Sequence, residues 1–462
     1  MKKLFYILMM AFMPLCLSAK VWIPKIFSSG MIMQRKDHVR LWGNALPNSK
    51  VVIASSWART IELKTDNEGN WKTVIKTTDN RNNQTLTITD NESKVELNDI
   101  LFGEVWLCGG QSNMAWKVIQ PLKNNRKIEC KNAKDMIVSS QKHQIHFFTV
   151  GKGASDVPRN DVTGEWIKAT PETTADCSAV AYSFAEKLSE ELQVPIGLVI
   201  SAVGGSRIEA WINKENNQLV EIPKELLTSK KLNKKPYGLY NAMIYPIQGF
   251  GIKGVIYYQG ESNRDDADRY SKLFPILIKQ WRQNWNKELS FYYAQIAPYD
   301  YETGESYKIR EVQKDVANTI TKTGIAITLD VGEKKSIHPK NKRPVGNRLA
   351  LLALKKNYNK HGIKAISPQI RKVKLVGRKI ELTFDENIFL HGHDEFTISG
   401  SNHKFYQAEV KQLGPKKILV FSTEVEVPSI VRYAYSDWCT AQIFNSTGLP
   451  VSSFEYLINS DL

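Results

Sequence analysis

Between about residues 101 and 360, short and almost continuously apolar segments alternate with segments whose apolar residues recur at helical spacing. A strand that is apolar on both faces must be covered on both faces, and helices between such strands provide that cover. The alternation therefore predicts an α/β domain built on a buried parallel sheet. The predicted strands are 104–108, 197–200, 254–258, 291–294 and 325–328, and the predicted helices are 178–192, 270–285 and 345–358.

The segments on either side of this region have a different pattern. Short β-rich runs are separated there by turn residues such as Asn67-Glu68-Gly69-Asn70, and no long amphipathic helix interrupts them. A chain of 462 residues is long enough for two to three domains. We therefore predict a β-sandwich at 20–100, the α/β domain at 101–365 and a second β-sandwich at 366–462.

The first nineteen residues have the pattern of a secretory signal peptide. Lys2 and Lys3 precede an apolar run at 4–17, and Ser18-Ala19 supplies small residues for cleavage. The run is shorter than the ~20 apolar residues that a membrane span needs. We expect cleavage after Ala19 and an exported protein, periplasmic or secreted, with no membrane association afterwards.

Charge and cysteine content indicate neither a nucleic-acid partner nor a metal site. The 63 Lys and Arg residues outnumber the 47 Asp and Glu residues, but the excess is distributed along the chain and accompanies no nucleic-acid-binding motif. Four of the five cysteines follow the signal segment, and they have no zinc-site spacing. The histidines and acids of 391–395 fit a solvated loop better than a metal site. Disulfide pairing and oligomeric state stay open.

Glycines and polar residues follow the predicted strands. The first strand is followed by Gly110-Gln111-Ser112-Asn113-Met114, the second by Gly204-Gly205, and the third by Gln259-Gly260-Glu261-Ser262-Asn263; the last, after a loop, is followed by Ile337-His338-Pro339. Because the carboxyl ends of parallel strands meet at one edge of a sheet, we expect these segments to converge. They contain a hydroxyl, an imidazole and N–H donors, which are the groups that acyl transfer requires.

These four blocks, in this order, resemble the SGNH-hydrolase superfamily and, within it, the sialate O-acetylesterase group of bacterial carbohydrate esterases. Pro24-Lys25-Ile26-Phe27, Ile208-Glu209-Ala210-Trp211 and Val431-Arg432-Tyr433-Ala434 also match, so the resemblance extends along most of the mature chain. It implies an SGNH-type, three-layer parallel-sheet domain flanked by the two β-sandwiches. It further implies a serine esterase that removes O-acetyl groups from sialic acids or sialoglycans, without a cofactor or a metal.

The resemblance also implies catalytic roles for individual residues. Ser112 matches the nucleophile, and His338 matches the general base. The N–H of Ser112, the N–H of Gly205 and the side chain of Asn263 match the donors to the oxyanion. Gly204 is the alternative to Gly205 in that role.

The sequence departs from the family pattern three residues before the histidine, where the family has an aspartate and this chain has Lys335. Either Glu333 or Asp330 orients the imidazole instead, or the enzyme works as a Ser–His dyad. Loss of an orienting aspartate can cost orders of magnitude in rate. A catalytically weakened carbohydrate-binding relative is therefore one alternative, and an acetylesterase for plant polysaccharides such as xylan is another.

Other residues near the blocks have two interpretations each. Trp116 and Trp211 either line a sugar site or pack in the core. Arg207 could bind the carboxylate of a sialic acid, but an internal ion pair with Glu209 or another acid is the simpler interpretation. Glu261 is either a buried hydrogen-bond acceptor behind the site or an exposed acid.

Overall fold

The computed structural model describes residues 20–302 and 304–458, so the signal peptide predicted at 1–19 lies outside the described residues. The N-terminal part of the described chain consists of strands and turns. Its strands are β1 (Ile32–Gln34), β2 (His38–Asn44), β3 (Lys50–Ser55), β4 (Ile61–Lys64), β5 (Asn70–Lys76), β6 (Gln84–Thr89) and β7 (Lys94–Gly110).

Strands and helices alternate in the middle of the chain. The strands are β8 (Ile119–Pro121), β9 (Lys127–Glu129), β10 (Ile145–Thr149), β11 (Trp166–Lys168), β12 (Ile196–Ala202), β13 (Gly254–Tyr258), β14 (Ser290–Ala294) and β15 (Thr323–Ala326). The α-helices are α1 (Ser112–Ala115), α2 (Ala133–Ser139), α3 (Ala179–Leu192), α4 (Lys214–Asn217), α5 (Lys224–Leu227), α6 (Ala267–Trp285), α7 (Ser306–Thr319) and α8 (Arg343–Lys356). A π-helix at Tyr240–Ile244 and short 3₁₀ turns lie between them.

One sheet organises this region, with the strand order β11-β10-β12-β7-β13-β14-β15. Six adjacent strands of this order, β10, β12, β7, β13, β14 and β15, pair in parallel. The edge strand β11 pairs with β10 in the antiparallel direction. The prediction of a mixed α/β fold with a parallel sheet is therefore confirmed. The five predicted strands all belong to this sheet, whereas β10 and β11 were not predicted.

Helices cover both faces of the central sheet. Alternate residues of a strand point to opposite faces, and those of β13 divide accordingly. Ile256 and Tyr258 share a buried core with α3 and α8. Val255 and Tyr257 share the other core with α6, α7 and the N-terminal strands.

The long strand β7 belongs both to the N-terminal strands and to the central sheet. Its first half pairs with β6 and β1, and its second half lies between β12 and β13. The predicted boundary at residues 100 and 101 lies inside this strand, and the division into three domains remains a prediction.

The C-terminal part forms small antiparallel sheets around a separate hydrophobic core. Ile327 and Leu329, which follow β15, also pack in this core. None of the helices in the described part of the chain has the length and apolarity that a membrane crossing needs. The strands are β16 (Ile370–Val376), β17 (Lys379–Phe384), β18 (Ile388–Leu390), β19 (Phe396–Ser399), β20 (Phe405–Gln407), β21 (Glu409–Gly414), β22 (Lys417–Phe421), β23 (Ile430–Tyr433), β24 (Ile443–Asn445) and β25 (Phe454–Leu457).

Candidate active site

Ser112 begins α1 directly beyond the carboxyl end of β7. Gly110 ends the strand with a φ of 137°, and a Cβ added there would lie 2.2 Å from the carbonyl oxygen of Tyr258. Glycine is thus required for β7 to approach β13 this closely. The N–H of Gln111 donates to the same carbonyl at 2.9 Å, which fixes the turn on which the half-buried Ser112 lies.

The two glycines after β12 lie beside Ser112. A Cβ added at Gly204 would lie 3.5 Å from the Cβ of Ser112. Gly205 has a φ of 68°, and the carbonyls of both glycines accept hydrogen bonds from the Asn233 side chain. Within the described part of the chain, neither glycine N–H has an acceptor. Both N–H groups are therefore available to an oxyanion, and the choice between them stays open.

Asn263 is fully buried in the turn after β13, and its amide orientation is fixed by its neighbours. Its Oδ1 accepts from the N–H of Ile208 at 3.0 Å and from Nε2 of Gln259 at 2.8 Å. Its Nδ2 donates to Glu209 at 3.0 Å. The amide has two N–H donors, and the second has no acceptor among the described residues. That N–H therefore remains unpaired in the described residues.

Arg207 forms an internal ion-pair network. Its guanidinium lies 3.1 Å from Asp265, 3.5 Å from Glu209 and 3.8 Å from Asp266. Trp211 is also internal, because it is fully buried with its indole N–H on the Ser206 hydroxyl at 2.9 Å. The internal ion pair of Arg207 and the core packing of Trp211 are therefore what the structure shows.

His338 lies in the loop between β15 and α8, and its ring stacks on that of Trp116. The ring centroids are 4.7 Å apart and the ring planes differ by 27°. Burial, and then the nearby charge of Lys342, lowers the pKa of His338 to about 4. The imidazole is therefore neutral at pH 7, which is the form that a general base needs. Of the two tryptophans considered, Trp116 is the one at the site.

Neither of the two predicted acids makes a hydrogen bond to the His338 ring in the described residues. Asp330 accepts two hydrogen bonds from Arg348, at 2.7 and 2.6 Å, and Glu333 accepts one from the backbone N–H of Lys340 at 2.6 Å. Across residues 20–302 and 304–458, the His338 ring makes no hydrogen bond, and thus none to Ser112. The arrangement favours the dyad alternative.

The Ser112 turn and the His338 loop are joined by the neighbours of these two residues. Asn113 donates through its side chain to the carbonyl of Ile337 at 3.1 Å, and Trp116 stacks on the imidazole. Sequence reasoning gave no role to Asn113, although it lies inside the first block. Its burial between the Ser112 turn and the His338 loop follows from the convergence of these two segments, which no single block reveals.

Residues 102–355, more than half of the chain, match the family described as carbohydrate esterase, sialic acid-specific acetylesterase. The chain belongs to this carbohydrate esterase family. It is 27% identical over 410 residues to the sialate O-acetylesterase of Mus musculus, with 74% of each protein covered. It is 28% identical over 384 residues to that of Homo sapiens, covering 74% of this chain and 72% of the human protein.

A solved structure supports the same assignment. A carbohydrate acetylesterase from Xanthomonas citri, whose crystal structure is known, is 31% identical in sequence to this chain, and the two structures superpose with a TM-score of 0.86. The match covers 94% of this chain and 99% of that one. The chain is a carboxylic ester hydrolase that acts on acetylated sugars, and the predicted relationship to sialate O-acetylesterases is confirmed.

Proposed function

We propose that this chain is an SGNH-type serine esterase that removes O-acetyl groups from sialic acids or sialoglycans through an acyl-enzyme. The convergence of Ser112, the glycine pair, Asn263 and the His338 loop at one sheet edge carries the proposal. The similarity to the mouse and human sialate O-acetylesterases supports sialic acid as the sugar. The pattern of residues 1–19 supports export to the periplasm or the medium.

In the first half-reaction, neutral His338 takes the proton of the Ser112 hydroxyl as the oxygen attacks the acetyl carbonyl carbon. The N–H groups of Ser112 and Gly205, or Gly204, and the Asn263 side chain donate to the oxyanion. The C–O bond to the sugar then breaks, and the imidazolium returns its proton to the sugar oxygen. Hydrogen bonds between nucleophile and base are often long without substrate and tighten in the complex.

In the second half-reaction, His338 takes a proton from water, which attacks the acetyl group on Ser112. The same donors bind the second oxyanion, acetate leaves, and the Ser112 oxygen recovers its proton. No side-chain carboxylate is needed in this sequence. The Trp116 face can stabilise the transient imidazolium by a cation–π interaction.

Acetate release tests both the chemistry and the substrate. The wild type and Ser112→Ala would be compared on O-acetylated sialic acids, acetylated xylan and p-nitrophenyl acetate. We expect the wild type to prefer the sialic acids and the variant to be inactive on every substrate. Equal or higher rates on xylan would reject the sialic acid assignment, and an active Ser112→Ala would reject the serine mechanism. Binding without hydrolysis would identify a weakened carbohydrate-binding relative.

A further inference from the structure

Glu261 is a buried carboxylic acid directly behind the candidate site. It follows Gly260 at the end of β13, and only 2% of its surface is exposed. Its Oε1 accepts from Nδ2 of Asn113 at 2.6 Å, and its Oε2 has no partner among the described residues. Burial raises the pKa of Glu261. A buried acid in this position needs a compensating charge to stay ionised.

Lys342 supplies a buried cation on the opposite side of Asn113. It is fully buried immediately before α8, and its Nζ donates to Oδ1 of Asn113. The same Nζ lies 5.8 Å from the ring centroid of Trp116 and 6.0 Å from that of Tyr258. No carboxylate in the described part of the chain lies within ion-pair distance of it. A lysine side chain is rarely buried to this degree unless its ammonium group is paired or hydrogen-bonded.

Asn113 connects these two ionisable groups to both sides of the site. Its Oδ1 accepts from Lys342, while its Nδ2 donates to Glu261 and to the carbonyl of Ile337. The side chain thus uses both amide N–H donors and its oxygen within the protein. It is the direct neighbour of Ser112 in the chain, and Ile337 is the direct neighbour of His338. The amide therefore links the segment that carries the nucleophile to the segment that carries the base, and it has no donor left for the substrate.

We propose that Lys342 and Glu261 are positioning residues, which act through the Asn113 amide to hold the His338 loop against the Ser112 turn. We call Glu261, Asn113 and Lys342 the buried clamp. It positions His338 in place of an orienting carboxylate, which the imidazole lacks in the described residues. The proposal rests on the proposed roles of Ser112 and His338.

The clamp also has an electrostatic effect on the base. The charged group facing His338 is Lys342, whose positive charge disfavours the imidazolium. Lys342 itself is faced by Glu261, Glu333 and the thiol of Cys130, and burial lowers its pKa to about 7. Removing the lysine charge should therefore raise the pKa of His338. Since a general base must be neutral, the acidic limb of kcat/KM should then move to higher pH.

Two variants separate the positioning effect from the charge effect. Lys342→Met removes both the hydrogen bond and the charge, whereas Asn113→Ala removes the bridge and keeps the charge. With p-nitrophenyl acetate, an uncharged substrate, we expect kcat/KM to fall about 10- to 100-fold in each variant, as expected for a displaced catalytic group. The acidic limb should move to higher pH in Lys342→Met only. Lys340→Met, an exposed lysine of the same loop, is the matched control and should behave as the wild type.

The outcomes distinguish this proposal from the proposed function. An active Ser112→Ala would mean that the serine mechanism itself fails. If Ser112→Ala is inactive but Lys342→Met keeps the wild-type rate and acidic limb, only the clamp is overturned. Thermal unfolding and circular dichroism establish whether each variant folds. If Lys342→Met does not fold, Asn113→Ala decides, and a wild-type kcat/KM in that variant overturns the proposal.

Discussion

The turn that carries Ser112 and the loop that carries His338 meet at one edge of the sheet, but different contacts fix them there. The Ser112 turn follows from the backbone of the central sheet, through the hydrogen bond of Gln111 to Tyr258. The loop from 327 to 342 forms no strand of the sheet and relies more on side chains: Leu329 packs in the C-terminal core, and Asp330 accepts two hydrogen bonds from Arg348. The nucleophile side should therefore tolerate changes to its surroundings, whereas the base side should depend on single side chains.

The largest effect is expected at the nucleophile. Ser112→Ala should lower kcat/KM by about 10⁴-fold or more, because no other group can form the acyl-enzyme. Since the backbone holds this turn, the melting temperature should stay within about 2 °C of the wild type. Acetate release and thermal unfolding check the two parts separately. A large loss of stability would contradict the backbone-held nucleophile side.

Asn263→Ala should have the next largest effect, again on the nucleophile side. Loss of one oxyanion donor costs about 10²- to 10³-fold in kcat, and KM should change little because the ground-state carbonyl is bound weakly. Steady-state kinetics on p-nitrophenyl acetate separate kcat from KM. A variant in which KM rises while kcat is retained would assign Asn263 to substrate binding instead.

The pH profile of the wild type tests the base side. The pKa of His338 is lowered from 6.5 to about 4 by burial and by Lys342. The base is neutral above its pKa, so kcat/KM should stay high as the pH falls and decrease only near pH 4. Initial rates with a neutral ester from pH 3.5 to 8 give this limb. A limb at pH 6 to 7 would mean that the imidazole is solvated or paired with an acid.

Asp330→Asn should weaken the anchoring of the base loop. The variant loses the charge of a paired, half-buried carboxylate, which we expect to cost about 1–3 kcal/mol of unfolding free energy. Activity should fall by less than in the Ser112 and Asn263 variants, because Asp330 does not contact His338. Urea unfolding measures the stability change. An unchanged unfolding midpoint would show that the loop is held without this pair.

The smallest effect is expected from Glu333→Gln. Glu333 accepts a backbone N–H that a glutamine oxygen can also accept, and it makes no hydrogen bond to His338. The change in kcat/KM should be less than about threefold, in keeping with a surface substitution. A loss of 100-fold or more would identify Glu333 as the orienting acid and would remove the dyad from the mechanism.

The sequence predicted the nucleophile side better than the base side. Strand ends specify the positions of Ser112 and the glycine pair, because parallel strands bring their carboxyl ends together whatever the loops do. The contacts of His338 depend on a long loop, whose course no periodicity predicts. Lys342 was not singled out because lysine is usually exposed.

Elements were missed for similar reasons. β10 (Ile145–Thr149) is short and contains a histidine, so it lacks the continuous apolar run of β12 or β13. α7 (Ser306–Thr319) is largely polar, and one stripe of it packs on the sheet. Whether Trp116 or Trp211 lies at the site could not be inferred, since aromatic side chains suit both a core and a sugar site.

The anchoring of Ile327 and Leu329 in the C-terminal core limits how the protein can be shortened. A recombinant fragment restricted to residues 102–355 would contain every proposed catalytic group, yet it would expose these two apolar side chains to water. It would also cut β7 away from β6 and β1. The outer β regions thus support the catalytic region. We expect a fragment without them to be insoluble and inactive rather than a minimal enzyme.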